Sequence, residues 1–230
     1  MFPMTGILPF SLPEYFQESP DIPQDLLVSE EHFVKVLRWQ IQNHPSSEVS
    51  LYGVIQLRHG TTPLEHEIVW ITPAATGDFG SITTSAQEIL SAMEDAMKAG
   101  YDIINLQMHT HGTNTAFWSG TDLHAQHKTI HENITSPGEM WYIVIGGGMD
   151  WQCRHYVWTG DGTVKYADGK VYLLPDKLCL TQKHTSLTFW ANDPWEPKDK
   201  SDNADSKKAT VYNDNWLADM WGRWAKTPTE

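Results

Sequence analysis

The chain has 230 residues, which is long enough for one large domain or for one domain with appendages. Its 40% hydrophobic residues and 16 glycines come near the average for globular proteins, which excludes wholesale disorder. With 16 Lys and Arg against 29 Asp and Glu, the net charge of −13 has the wrong sign for a basic surface that binds nucleic acid. No run of 18 apolar residues predicts a membrane span. The two cysteines, Cys153 and Cys179, are too few for a disulfide framework, so we expect a cytoplasmic location.

Residues 1–27 are predicted to form an extended arm that precedes the main domain. The segment is acidic, contains no Lys or Arg, and has five prolines that interrupt any periodicity. Ser29 is a favourable N-cap for a helix over residues 30–43, where apolar side chains recur at helical spacing until Pro45. We therefore expect the main domain to extend over residues 28–192.

Strand and helix patterns alternate along the main domain. Strand-like runs at residues 48–58 and 64–72 predict a hairpin. Ser85 and Glu88 form a capping box that begins the next helix, and Gly100 ends it. The apolar residues expected to face inward on this helix are Ile89, Leu90, Met93 and Met97.

The second half of the main domain continues the alternation. A strand over residues 101–111 is followed by a helix from Ser119 or Thr121 to about Asn133. A continuous apolar run at residues 140–145 is typical of a buried central strand. Two further strands are expected near residues 151–158 and 163–174. This alternation predicts the α/β class.

The end of the chain differs in composition from the main domain. Residues 193–215 are polar and predict a linker. Residues 216–226 predict a short amphipathic helix, whose apolar face carries Trp216, Trp221 and Trp224. We expect this face either to dock on the main domain or to bind a partner.

One segment carries a pattern typical of a metal site: HxH, seven residues, then SxxD. His109 and His111 are two residues apart on a predicted strand, so both imidazoles can face one ion. Asp122 comes three residues after the cap position Ser119, in the first turn of a helix. Two nitrogens and one carboxylate oxygen leave a tetrahedral zinc with an open position for water, as in catalytic sites. The pKa of such a water falls to about 7.

Each half of this pattern has an ordinary interpretation. SxxD alone usually marks a helix cap, and HxH alone is usually a pair of surface or core histidines. From the composition of the chain, the full spaced pattern would occur by chance with a probability of roughly two in a thousand. Chance is therefore a weak explanation.

The segment resembles the signature of the JAMM (MPN-domain) zinc metalloproteases, which is a Glu, then H[S/T]H, seven residues, S, two residues and D. The resemblance implies that His109, His111 and Asp122 bind zinc and that Ser119 stabilises the oxyanion. The resemblance covers about residues 30–160, and the residue sequence around Ser119 is most similar to bacterial and phage members of the family. It also implies a mixed curved sheet flanked by helices, layered as in cytidine deaminases. Gly112 departs from the family, since many members have Pro there.

The signature also needs a distant Glu as general base. In the family this Glu begins a strand rich in Gly and aliphatic residues ahead of the long helix, and Glu48 begins such a strand here. The competitors are Glu65 and Glu67 on the following strand, whose ordinary interpretation is a solvated strand face. The resemblance therefore favours Glu48.

The function that the resemblance implies is zinc-dependent hydrolysis of a peptide or isopeptide bond. In the family, the substrate is often a protein with a ubiquitin-like C-terminus, bound as an extended strand. The alternative is a non-catalytic binding or assembly module on the same fold, for example one associated with phage assembly. A second metal site at His124, His127 and His131 is a further interpretation, against a polar helix face.

Overall fold

The computed structural model describes residues 14–43, 47–58, 65–77, 84–112, 114–147, 150–175 and 177–181. The helices in this part of the chain are α1 (Glu30–Asn43), α2 (Ala86–Lys98) and α3 (Gly120–Asn133). Its strands are β1 (Phe16–Glu18), β2 (Asp25–Val28), β3 (Val49–Arg58), β4 (Glu65–Thr76), β5 (Leu106–Thr110), β6 (Gly138–Ile145), β7 (Trp151–Trp158), β8 (Val164–Leu173) and β9 (Leu178–Cys179). The predicted linker and C-terminal helix lie outside the described residues. None of the three helices is long and apolar enough to cross a membrane.

Seven strands form a closed barrel in the order β8-β2-β4-β3-β5-β6-β7, because β7 also pairs with β8. The barrel is mixed: β2 is parallel to β4 and β8, and β5 is parallel to β6, while the other neighbours are antiparallel. β1 and β9 also pair with β8. The α/β class is confirmed, and the three helices accompany a barrel.

The described part of the predicted N-terminal arm is not separate from the main domain. β1 pairs with β8, and β2 pairs with both β4 and β8. Leu26 and Val28 are fully buried, and Phe16 is also in the core. The boundary expected at residue 28 is therefore wrong here. Prolines exclude a helix in this segment, but they do not prevent the short strands that flank Pro20 and Pro23 from pairing.

Helix α1 has the predicted bounds, and its N-cap is Ser29, whose Oγ accepts a hydrogen bond from the His32 amide at 3.3 Å. β6 is the predicted buried strand. Its residues 141–145 are all buried, because β5 and β7 flank it on both sides. β5 and β6, the strands next to the candidate site, are therefore part of the buried core.

Helix α2 has the predicted capping box and bounds, but the predicted inward face is wrong for three of its four residues, Ile89 being half-buried. Ala92 and Ala96 are its buried residues, whereas Leu90, Met93 and Met97 are 52%, 44% and 66% exposed. Small alanine side chains bring a helix backbone close to a sheet, and α2 packs on β4 and β3 in this way. Side-chain size, and not hydrophobicity alone, selects the face that is buried.

Candidate metal centre

The two histidines of the HxH pattern lie at the end of a central strand. His109 is on β5, where it is opposite Ser50 of β3 and Val144 of β6. His111 follows the strand directly, and its amide donates to the Ile145 carbonyl at 2.8 Å. Sheet neighbours on both sides therefore fix the backbone that carries the imidazoles.

The side chains of the three predicted metal ligands lie within hydrogen-bonding distance of one another. Nε2 of His109 and Nε2 of His111 are 3.0 Å apart. His109 Nε2 is 3.2 Å from Oδ1 of Asp122, and His111 Nε2 is 3.4 Å from Oδ2. Ligand atoms at about 2.0–2.1 Å from a tetrahedral zinc are about 3.3 Å from one another. The donor set and its spacing therefore fit a zinc ion.

Helix α3 holds the carboxylate in place. The Ser119 Oγ accepts a hydrogen bond from the Asp122 amide at 3.1 Å, and Asp122 Oδ2 accepts one from the Ser119 amide at 2.8 Å. Burial opposes ionisation of Asp122, but hydrogen bonds from His109, His111 and Ser119 hold its pKa well below the usual range. The carboxylate is therefore ionised, as a metal ligand must be.

Glu48 is buried next to this cluster. It precedes β3 directly and is 7% exposed, and the following amide, of Val49, donates to Thr110 Oγ1 of β5 at 2.9 Å. Burial raises the pKa of Glu48, which His111 and His109 lower and Asp122 raises again. The structure therefore brings Glu48 together with all three predicted ligands.

The competing acids lie at the other end of β3. Glu65 is opposite Arg58 and Glu67 is opposite Gln56. Arg58 approaches Glu67 at 3.7 Å and Glu65 at 3.9 Å, and Lys177 also contacts Glu65. Arg58 is eight residues from Ser50 along the strand, which is about 26 Å. Neither Glu65 nor Glu67 is near the candidate centre.

The loop between His111 and Ser119 is held by residues that the sequence did not single out. Asp150 Oδ2 accepts a hydrogen bond from the Ala116 amide at 2.8 Å. A Cβ at Gly146 would lie 2.2 Å from Asp150 Oδ1 and 2.4 Å from the Ala116 nitrogen, so only glycine fits. The only sequence signal for this contact was the run of glycines after β6, because the partners are 34 residues apart.

Two further features belong to the same loop. The first is Gly112, where many members of the JAMM family have Pro, and the second is the exposed ring of Phe117 beside the candidate metal centre. Gly112 has a φ of +53°, which proline cannot adopt. Phe117 is 45% exposed and packs edge-on against His111, with ring centres 4.7 Å apart. The ring of Phe117 is therefore an exposed apolar surface beside the candidate metal centre.

The three histidines of helix α3 do not form a metal site. His127 packs on Phe16 with ring centres 4.4 Å apart, and His131 Nδ1 lies 3.1 Å from the Tyr15 hydroxyl. His124 is exposed. Among the described residues, the group of His109, His111 and Asp122 is the one whose ligand atoms all lie within 4.8 Å.

No protein-family model matches the chain, and no curated protein does. The comparison with solved structures matches the chain to the protein DSY2949 from Desulfitobacterium hafniense, at 15% sequence identity and a TM-score of 0.37. The match covers 64% of this chain and 92% of that one. A TM-score of this size supports no inference about fold family or function.

Proposed function

We propose that the protein is a zinc-dependent metallopeptidase of the JAMM type, which hydrolyses a peptide or isopeptide bond. One observation carries the proposal: His109, His111 and Asp122 converge at the spacing of zinc ligands, with Glu48 buried beside them. His109, His111 and Asp122 would hold the ion. A binding module without activity would not need the buried acid.

The order of elements supports an MPN-type arrangement for the barrel. The strand that follows Glu48, the helix α2, the HxH segment at the end of β5 and the helix α3 occur in the order of the family signature. Pairing of β3 with β5 then brings the distant Glu to the metal ligands. The barrel thus explains why a Glu 61 residues before His109 in the sequence can act at the same centre.

Glu48 is proposed to be the general base. When bound, Zn²⁺ polarises the scissile carbonyl and lowers the pKa of water. The Glu48 carboxylate accepts the proton of the attacking water and later donates it to the leaving amine. Burial favours this role, because it raises the pKa of Glu48 and makes the carboxylate a stronger base.

Ser119 is proposed to stabilise the oxyanion. Its hydroxyl oxygen accepts the hydrogen bond of the Asp122 amide, which leaves the hydroxyl hydrogen free to donate. The cap geometry fixes the position of that hydrogen-bond donor relative to the carboxylate ligand. A donor fixed in advance is what oxyanion stabilisation requires.

The proposed substrate is an extended protein segment, such as a ubiquitin-like C-terminus. β2 covers only residues 66–68 of one edge of β4, and among the described residues no strand pairs with the rest of that edge. That edge ends at Thr76, which is opposite Val49, next to Glu48. A substrate strand added there would lead toward the proposed base. The low cysteine content favours a cytoplasmic location for this activity.

The test is hydrolysis of a panel of quenched peptides and isopeptide-linked ubiquitin dimers by the full chain. We expect cleavage of at least one substrate, loss of cleavage after chelation, and recovery on addition of Zn²⁺. His124→Gln, an exposed histidine outside the centre, is the matched control for His109→Ala. Zinc binding without cleavage of any substrate would favour the non-catalytic module, and chain that binds no zinc would refute the proposed centre.

A further inference from the structure

The backbone beside Glu48 is held on two sides. The carbonyl of Glu48 accepts a hydrogen bond from the Gly77 amide at 2.9 Å, and on the other side the Val49 amide donates to Thr110 Oγ1 at 2.9 Å. Thr110 is the middle residue of the HxH pattern. The segment that carries the two imidazoles therefore also carries the acceptor that holds the backbone next to the proposed base.

The hydrogen bond to Thr110 lies where the backbone pairing of β3 with β5 ends. The last pair is Ser50 opposite His109. One residue further on, Val49 pairs with β4 and Thr110 pairs with β6. Val49 and Thr110 are each 1% exposed, so the Val49 amide has no access to water and needs an acceptor from the protein. The Thr110 hydroxyl supplies this acceptor in place of a strand carbonyl.

A threonine suits this position for two reasons. Successive side chains of a strand point to opposite faces, so Thr110 faces away from the His109 and His111 imidazoles and does not join the ligand set. Its β-branched side chain is stiff, so the hydroxyl keeps a fixed place relative to the backbone that carries both imidazoles. Because Glu48 is 7% exposed and closely packed, a displacement of its backbone would also move its carboxylate.

We propose that Thr110 is a positioning residue, whose hydroxyl fixes Glu48 relative to the metal ligands His109 and His111. Thr110 is neither a ligand nor a base, and it acts through the backbone at Val49. The consequence for hydrolysis rests on the proposed function, whereas the effect on the backbone does not. A misplacement of about 1 Å at a reacting group can lower a rate by about 100-fold, which sets the size of the expected effect.

Amide hydrogen exchange of the full chain measures the backbone effect without any activity. In Thr110→Val, which keeps the shape of the side chain but removes the acceptor, the Val49 amide should exchange about 10-fold faster. The Gly77 amide should also exchange faster, because its acceptor is the carbonyl of Glu48. Thr110→Ser keeps the hydroxyl and should restore both rates.

Thr181→Val is the matched control. The Val171 amide donates to Thr181 Oγ1 at 2.9 Å, which is the same kind of hydrogen bond, and neither residue belongs to the candidate metal centre. This variant should speed exchange at Val171 and leave the Val49 and Gly77 amides as they are in the wild type. The control separates the loss of a threonine acceptor in general from the loss of the one that holds Glu48.

Steady-state kinetics at equal zinc content measure the consequence for hydrolysis. Thr110→Val should lose about 100-fold in kcat and keep KM within about 2-fold, because the substrate does not contact Thr110. Thr110→Ser should regain most of the kcat of the wild type, and Thr181→Val should keep all of it.

Two results for Thr110→Val would overturn the proposal: exchange at Val49 and Gly77 as slow as in the wild type, or faster exchange with an unchanged kcat. Rapid exchange of the Val49 amide in the wild type would overturn it even if Thr110→Val folds poorly. Absence of hydrolysis by the wild type would instead refute the proposed function, and the exchange rates would still decide whether Thr110 holds Glu48.

Discussion

The carboxylate of Asp122 accepts a hydrogen bond from the Ser119 amide at 2.8 Å while its two oxygens face the imidazoles of the candidate metal centre. The same two residues therefore form the cap of helix α3 and two elements of the proposed site. Ser119 is both the N-cap acceptor of α3 and the proposed oxyanion donor. Different changes at Ser119 should therefore affect helix stability and hydrolysis by separable amounts.

Ser119→Ala should lower the free energy of unfolding by about 1 kcal/mol, because the N-cap acceptor is lost. Ser119→Gly should cost only a few tenths of a kcal/mol, because glycine is tolerated at this position. Both variants should lower kcat by about 100-fold, since both lack the oxyanion donor. Denaturant unfolding and steady-state kinetics measure the two effects, and full activity in Ser119→Gly would contradict the proposed role.

Gly146→Ala should destabilise the chain by about 1–3 kcal/mol, because the added Cβ would meet Asp150 and the Ala116 backbone. Gly120→Ala is the matched control. A Cβ at Gly120 meets nothing within 4 Å, and alanine is favoured in the first turn of a helix. Urea unfolding compares the two, and equal stabilities would show that the loop tolerates a side chain at residue 146.

The stability of the chain should fall as the pH is lowered from about 6.5 to about 4. Burial, with Arg154 and His124 nearby, lowers the pKa of His127 to about 4, whereas the unfolded chain protonates near 6.5. Below 6.5 the unfolded state binds the extra proton first, so stability present above 6.5 is lost by up to about 3 kcal/mol.

His127→Phe should remove much of this pH dependence, and His124→Gln should keep most of it, because burial is the largest cause of the lowered pKa of His127 and His124 is the smallest. Unfolding at several pH values between 4 and 7 measures the slope. An unchanged slope in His127→Phe would show that the histidine is not held neutral by its surroundings.

Two substitutions on α2 test which of its faces is buried: one adds a charge at Met97, and the other adds volume at Ala96. Met97→Lys should change stability by less than about 0.5 kcal/mol, because Met97 is 66% exposed. Ala96→Leu, one residue away, should cost about 1–3 kcal/mol, because Ala96 is 2% exposed against the sheet. The opposite ranking in denaturant unfolding would restore the face that hydrophobicity predicts.

The local signals in the sequence predicted most element bounds. Ser29, Ser85 and Ser119 cap the three helices as expected, and the HxH segment at the end of β5 presents both imidazoles on one side. These features depend on residues within one or two turns of each other. Periodicity and capping chemistry are therefore sufficient for them.

Contacts between distant parts of the chain are not indicated by local sequence patterns. The pairing of β2 with β8 joins residues about 145 positions apart, and nothing local in a proline-rich segment indicates it. The buried face of α2 depends on which side chains fit against β4, and the hydrogen bond from Ala116 to Asp150 depends on where two loops meet. Such features follow from packing, which a single sequence does not specify.

The most direct test of the account is the hydrolysis rate of Glu48→Gln compared with Glu67→Gln at equal zinc content. Glu48→Gln should retain its zinc and lose at least about 100-fold in kcat, because the amide cannot accept the proton of the attacking water. Glu67→Gln changes a half-buried acid of β4 that lies opposite Gln56, about 20 Å from Ser50 along β3, and it should keep wild-type activity. Full hydrolysis by Glu48→Gln, or loss of hydrolysis in Glu67→Gln alone, would contradict the central claim.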